Sequence, residues 1–160
     1  MINIKILCVG KLKEKFYIDG AAEYIRRLSA YCKIDIEELP ETKRSASPSA
    51  AEMEAALQKE ANVILGKIPK GTEIIALCIE GKQLDSPGLA EMIDNYAKNG
   101  ISRLCFIIGG SDGLHKSVKD AASLQISMSR MTFPHHLARV MLLEQLYRSF
   151  KIIEGSRYHK

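Results

Sequence analysis

The sequence predicts an α/β fold, a mainly parallel sheet with helices on both faces. Three observations carry that expectation. Five short apolar segments alternate with stretches of helical periodicity, the order produced when each strand is followed by a crossover helix. One of them, Arg103 to Ile108, runs apolar without alternation, as a buried strand does. No internal repeat divides the 160 residues, of which 46% are hydrophobic and 26% charged, the balance of a globular chain able to bury a core. A single domain over 1–160 is therefore expected.

The elements follow in order. Ile2 to Val9 (INIKILCV) reads as a strand, and Glu14 to about Ala30 has a helical pattern. Ile34 to Leu39 alternates apolar and acidic residues, as a half-exposed strand does. Thr42 to Ser49, rich in Ser and carrying Pro48, resembles a flexible loop. Ser49 is placed to cap an Ala/Glu-rich helix reaching about Gly66. Thr72 to Ile79 is a third strand, and Ser86 to Lys98 a helix with Pro87 in its first turn. Arg103 to Ile108 is the fourth strand, Leu114 to Ala122 a short helix and Leu124 to Met128 the last strand. A long helix from His135 to about Ile153 closes the pattern.

Several classes are excluded. No apolar run approaches the ~20 residues of a membrane span, and Ile2 to Val9 leads into Gly10-Lys11-Leu12-Lys13 rather than a signal-peptide cleavage site. Cys8, Cys32, Cys78 and Cys105 lie far apart with no zinc-ligand spacing, so we expect a reduced, cytoplasmic chain without a metal. Net charge is only +4, yet Ser129 to Lys160 holds six basic residues (Arg130, Arg139, Arg148, Lys151, Arg157 and Lys160) against Glu144 and Glu154. Such a concentration suits a polyanion such as nucleic acid, and equally a solvated positive face.

In parallel α/β folds ligands bind beyond the carboxyl ends of the strands. That directs attention to the loops Glu80 to Ser86, Gly109 to Leu114 and Ser129 to His136, which can open on one sheet edge. Gly109-Gly110-Ser111-Asp112-Gly113 follows a strand and opens a helix, where backbone N–H groups can cradle a ligand. It is not a dinucleotide fingerprint, because the G-x-G-x-x-G spacing is absent and position 130 is Arg rather than an acid. No P-loop or nucleophile elbow is present. The strand cysteines read as core residues, and His135-His136 as a helix-start feature rather than a metal site. On the closing helix Leu142, Ile153, Leu146, Phe150, Leu143, Tyr147 and Val140 cover an arc of roughly 160°. Glu144 and Arg148 pair at i,i+4 on the opposite ridge. Arg139 falls inside the apolar arc and must meet a carboxylate, a backbone carbonyl, a partner chain or a ligand. The width of the arc points to packing on a second subunit as well as the chain's own sheet.

Ile107 to Leu114 (IIGGSDGL), Met131 to His135 (MTFPH), Arg139-Val140 through Glu144 to Arg148 (EQLYR), the ending Tyr158-His159-Lys160 and the opening Val9 to Lys13 together resemble the RlmH family. These are small SPOUT-class methyltransferases that modify N3 of a pseudouridine in bacterial large-subunit ribosomal RNA. The resemblance covers essentially the whole chain, Glu41 to Ser49 excepted. It implies a SPOUT-type α/β fold with a C-terminal trefoil knot, a rare exception to unknotted connectivity. It also implies a homodimer that binds S-adenosyl-L-methionine and acts on ribosomal RNA in the assembled ribosome. Carried over by position, the cofactor residues would be Leu77, Gly109, Met128, Ser129, Arg130, Met131, Thr132 and Phe133. The catalytic candidates are Arg139 or Arg148, to stabilise a developing nitrogen anion, with Tyr158 and His159 to position the base and take its proton. Arg130, Arg148, Arg157 and Lys160 would contact phosphates. Two rivals remain: a non-catalytic ribosome- or RNA-binding factor of the same fold, and a Rossmann-like NAD-dependent oxidoreductase, which the missing acid disfavours.

Overall fold

In a computed structural model that describes residues 1–159, five strands form one sheet in which every pairing is parallel. They are β1 (Ile2–Val9), β2 (Cys32–Leu39), β3 (Glu73–Gln83), β4 (Arg103–Ile108) and β5 (Leu124–Ser127), in spatial order β2-β1-β4-β3-β5. The helices are α1 (Lys15–Leu28), α2 (Ala50–Lys67), α3 (Ser86–Lys98), α4 (Lys116–Ala121) and α5 (His135–Ile153). Lys160 lies outside the described residues.

The two-residue period of the strands sorts the interior into two cores. Ile4, Ile6 and Cys8 of β1 pack with Leu104, Phe106 and Ile108 of β4 under α1, α3 and α5. Leu7, Val9, Cys105 and Ile107 face the other way and meet Ala61 and Ile64 of α2 and Val118 of α4. Helices thus cover both faces, as the sequence predicts, and all four cysteines are buried. The broad apolar arc of α5 is covered largely by the chain itself, since Leu142, Leu143 and Leu146 join the first core.

Local chemistry sets the helix starts. Ser49 Oγ accepts the Glu52 N–H at 3.1 Å, and the Glu52 carboxylate accepts from Ser45 N and Oγ at 2.8 and 2.7 Å. Asp85 caps α3 by accepting the Gly88 N–H at 2.7 Å, with Pro87 at the next positions, where its missing N–H is harmless. α4 starts two residues later than the periodicity predicts, because His115 Nδ1 accepts the Ser117 N–H at 3.0 Å and serves as the cap.

β3 departs most from expectation. Its polar end, Glu80 to Gln83, reads as loop but rejoins the sheet. Ile126 of β5 lies opposite Leu77 and again opposite Lys82, so Cys78 to Gly81 bulge out of the ladder between them. At the return Gly81 lies against β5: a Cβ there would sit 2.6 Å from the Ile126 carbonyl carbon. This doubled contact is compatible with the threaded connection that the sequence resemblance implies. Among the described residues no helix is long and apolar enough to cross a membrane.

We expect Gly81→Ala to destabilise the fold by about 1–3 kcal/mol, because the backbone it meets cannot step aside. Gly66→Ala, with open space around its position on α2, should stabilise by about 0.5 kcal/mol. Urea unfolding of both variants measures the contrast.

Candidate active site

The carboxyl ends of β3, β4 and β5 enclose a cleft of about 790 Å³, within the range of small-molecule sites. Leu77 to Glu80 form one side, Ile108 to Leu114 the second and Ile126 to Ser129 with Met131 to His135 the third. The walls are mainly apolar, from Leu77, Ile79, Met131 and Phe133. Lys119 and Glu80, which pair with each other, supply charge. Because the β3–β5 ladder is interrupted and the β3–β4 ladder ends at Ala76, the backbone of Cys78 to Gly81 has no strand partner. Of this stretch Cys78, Ile79 and Glu80 line the cleft, where their backbone can meet polar edges of a ligand.

The third wall holds its shape through its serines. Ser127 Oγ donates to Ser129 O at 2.9 Å, and Ser129 Oγ accepts the Met131 N–H at 3.0 Å. Of the residues expected to hold a cofactor, Leu77, Gly109, Met128, Ser129, Met131, Thr132 and Phe133 all line this cleft. Arg130 is exposed and is not part of its wall. His135, which the sequence assigns to a helix start, does begin α5 and also lines the cleft. Burial first, and then the neighbouring His136, push its pKa below the ordinary value, so the imidazole is neutral at pH 7. Glu80 opens one of the three loops the sequence singles out, whereas Lys119 of α4 was not legible as a site residue, since only its pairing with Glu80 across the fold brings it here.

The four catalytic candidates separate into two places. Arg139 is 2% exposed on the first turns of α5. Its Nη1 lies 2.6 Å from Glu38 Oε2, and Nη2 donates to Gly10 O at 3.0 Å. It thus meets both a carboxylate and a backbone carbonyl, two of the partners its position demands, and it does not line the cleft. Its Nε finds no acceptor among the described residues. Burial works against the Glu38 carboxylate, but Arg139 and the Leu12 N–H outweigh it and hold its pKa below the ordinary value.

Arg148, Tyr158 and His159 do come together, around Glu144. Arg148 Nε and Nη2 lie 2.9 and 2.6 Å from Glu144 Oε1, and the Tyr158 hydroxyl donates to the same oxygen at 3.3 Å. The guanidinium sits 4.8 Å from the Tyr158 ring centroid, and the Tyr147 and Tyr158 rings pack edge-on at 5.0 Å. Arg148 Nη1 is 3.2 Å from His159 Nδ1. Guanidinium N–H can only donate, so Nδ1 accepts and a neutral ring carries its proton on Nε2. Glu144, read in the sequence only as an ion-pair partner, anchors the whole cluster. It also lines a smaller pocket of about 350 Å³ between α1, α3 and α5 that shares Ile126, Ser127 and Met128 with the cleft. Burial first, then Glu144, raises the Tyr158 pKa, keeping the phenol protonated. Among the described residues no group of His, Cys, Asp and Glu side chains is arranged to hold a metal ion.

A parallel sheet with its cleft at the carboxyl ends of β3, β4 and β5 is the architecture of an α/β ligand-binding protein. A family model described as a predicted SPOUT methyltransferase matches residues 2–159, and the chain belongs to that family. A protein of Bacillus pumilus (strain SAFR-032) named ribosomal RNA large subunit methyltransferase H is 50% identical over 159 residues, covering 99% of this chain and 100% of the relative. The protein of the same name from Listeria welshimeri is 48% identical over the same shares. Among solved structures, a probable methyltransferase from Bordetella pertussis Tohama I superposes with a TM-score of 0.56 at 12% identity, over 91% of this chain and 93% of that one. A probable methylase family protein from Haemophilus influenzae Rd KW20 gives 0.54 at 11% identity, over 98% and 70%. The last two establish likeness of fold.

Two outcomes follow from the Arg139 site. Arg139→Met should destabilise by about 2 kcal/mol at neutral pH, less than for a wholly buried pair because the Glu38 side chain stays 36% exposed. A carboxylate whose pKa is lowered by folding contributes stability that is complete above its unfolded value, about 4.3. That contribution is lost as pH falls through the lower folded value. The stability difference between wild type and Glu38→Gln, followed by denaturant unfolding from pH 7 downward, should therefore hold steady to about pH 5 and shrink below it.

Proposed function

We propose that the chain, as one domain over 1–160, is a cytoplasmic enzyme that methylates N3 of a pseudouridine in large-subunit ribosomal RNA. S-adenosylmethionine would be the methyl donor, the assembled ribosome the substrate, and a homodimer the working form. The observation that carries this reading is the convergence of Leu77, Gly109, Met128, Ser129 and Met131 to Phe133 on one cleft, in a chain about half identical to relatives named as large-subunit rRNA methyltransferases.

The cleft fits the donor's chemistry. Leu77, Met131 and Phe133 offer apolar walls for an adenine, while the bulged backbone of Cys78 to Glu80 and the Gly109 turn offer donors and acceptors for its polar edges. Bound there, S-adenosylmethionine would supply an already activated methyl group, so the protein need only align the nucleophile and exclude water. Arg130, exposed beside the cleft, would meet RNA phosphate rather than cofactor.

The uracil-type N3–H is weakly acidic, and positive charge favours its anion. Arg148 is the cation suited to this, since Glu144 holds it in place and raises its pKa further, keeping it charged. Tyr158, protonated, donates a hydrogen bond and helps seat the base. For His159 to take the N3 proton, Nδ1 must leave Arg148, as it would when the tail enters a second subunit's cleft. Arg139, already spent on Glu38 and Gly10, supports the site by fixing α5. Of the two remaining phosphate candidates, Arg157 is exposed on the tail and Lys160 lies outside the described residues.

The reading is tested with methyl-labelled S-adenosylmethionine and ribosomes from a strain lacking this modification. We expect label in large-subunit RNA, and no label with cofactor binding intact would mean a different substrate. Deleting Tyr158 to Lys160 should abolish most transfer while leaving cofactor affinity within about twofold. Full methylation by the truncated protein would remove the tail from the mechanism. RNA binding should weaken steeply as salt rises, on the order of a hundredfold between 50 and 200 mM.

A further inference from the structure

Thr42 to Ser49 has the composition of a flexible loop, yet the structure ties the chain just before and within it to the glycine turn on the cleft wall. The Arg44 side chain is 11% exposed, with Nη1 3.1 Å from Glu60 Oε2 and Nε 2.9 Å from Asp112 Oδ2. Glu60 is buried on α2 and also accepts the Thr42 N–H at 2.9 Å, while Arg44 Nη1 donates to Thr42 O. A rigid helix therefore orients the carboxylate and the carboxylate orients the guanidinium; on its remaining side Nε donates to Met53 Sδ at 3.4 Å and forms an ion pair with Asp112.

Asp112 belongs to Gly109 to Leu114, every residue of which lines the cleft. This turn has little to define its own shape. Three of its residues are glycine, Gly113 has φ +79°, and one backbone hydrogen bond crosses it, Gly113 N–H to Gly110 O at 3.1 Å. Glu41, just before the Arg44 segment, adds a second touch: its Oε1 lies 3.5 Å from Ser111 Oγ.

We propose that Arg44, held by Glu60, is a positioning residue that fixes the Gly109–Gly113 turn through Asp112 and so sets the backbone that receives the methyl donor. This rests on reading the cleft as the S-adenosylmethionine site. The ligand meets the turn's inner surface, while Arg44 acts from behind it and touches no substrate.

The test is Asp112→Asn, which keeps shape and removes the charge Arg44 grips, with two readouts. For S-adenosylmethionine, Kd by calorimetry and KM should both rise about tenfold, with kcat at saturation within about twofold. In the cofactor-free protein, hydrogen exchange of the Gly113 amide should quicken about tenfold while β1 and β4 amides hold their protection. Arg44→Met combined with Glu60→Met, which replaces the buried pair by apolar chains and spares the fold, should reproduce both effects. Adding Asp112→Asn to it should change little more. Wild-type Gly113 exchange in Asp112→Asn, or faster exchange with unchanged KM, would overturn the proposal. A wild-type protein that binds no S-adenosylmethionine would instead remove the functional reading, and faster Gly113 exchange in the variant would still show Arg44 fixing the turn.

Discussion

One buried guanidinium ties the closing helix to the strand ends. Arg139 cannot sit among Leu142, Leu143 and Leu146 without compensation, and it finds it in Glu38 at the end of β2 and Gly10 O just past β1. Glu38 also accepts the Leu12 N–H at 2.8 Å, so the same carboxylate orders the β1–α1 connection. The first turns of α5 are thereby placed against the carboxyl edge of the sheet. Pro134 and His135, immediately before and at the start of that helix, complete the cleft wall.

From that edge the site follows with few further requirements. Parallel pairing brings all strand ends to one side, and the bulge between Leu77 and Lys82 frees backbone where a ligand can read it. Apolar side chains supply the walls, and a glycine turn permits close approach. A second cluster of charge stands on α5, where Glu144 gathers Arg148, Tyr158 and His159 beside a pocket sharing Met128 with the cleft. Methyl transfer suits this division, because an activated methyl needs alignment and exclusion of water, while the weakly acidic nucleophile needs a cation.

Much of this was legible in the sequence. The five strands and five helices of the described residues appear in the predicted order, with bounds that shift at β2, β3 and α4, because most have a local signal such as Ser49 before Glu52 or Pro87 at the start of α3. The demand that Arg139 find a carboxylate or carbonyl follows from its place in the apolar arc alone. What stayed hidden depends on long-range pairing. The polar stretch Glu80 to Gln83 is strand only because its backbone meets Ile126 and Ser127. The order of Thr42 to Ser49 comes from Glu60 and Asp112, 16 and 68 positions from Arg44. Lys119 reaches the cleft through Glu80, which no sequence spacing announces.

The most direct measurement is a titration of the isotopically labelled protein with S-adenosylmethionine, followed by amide chemical shifts. We predict saturable shifts confined to Leu77 to Gly81, Gly109 to Leu114 and Met128 to Phe133, with the α2 amides unmoved. Shifts centred instead on Tyr24, Leu89 and Val140 in the smaller pocket, or no shifts at millimolar cofactor, would contradict the placement of the methyl donor in this cleft.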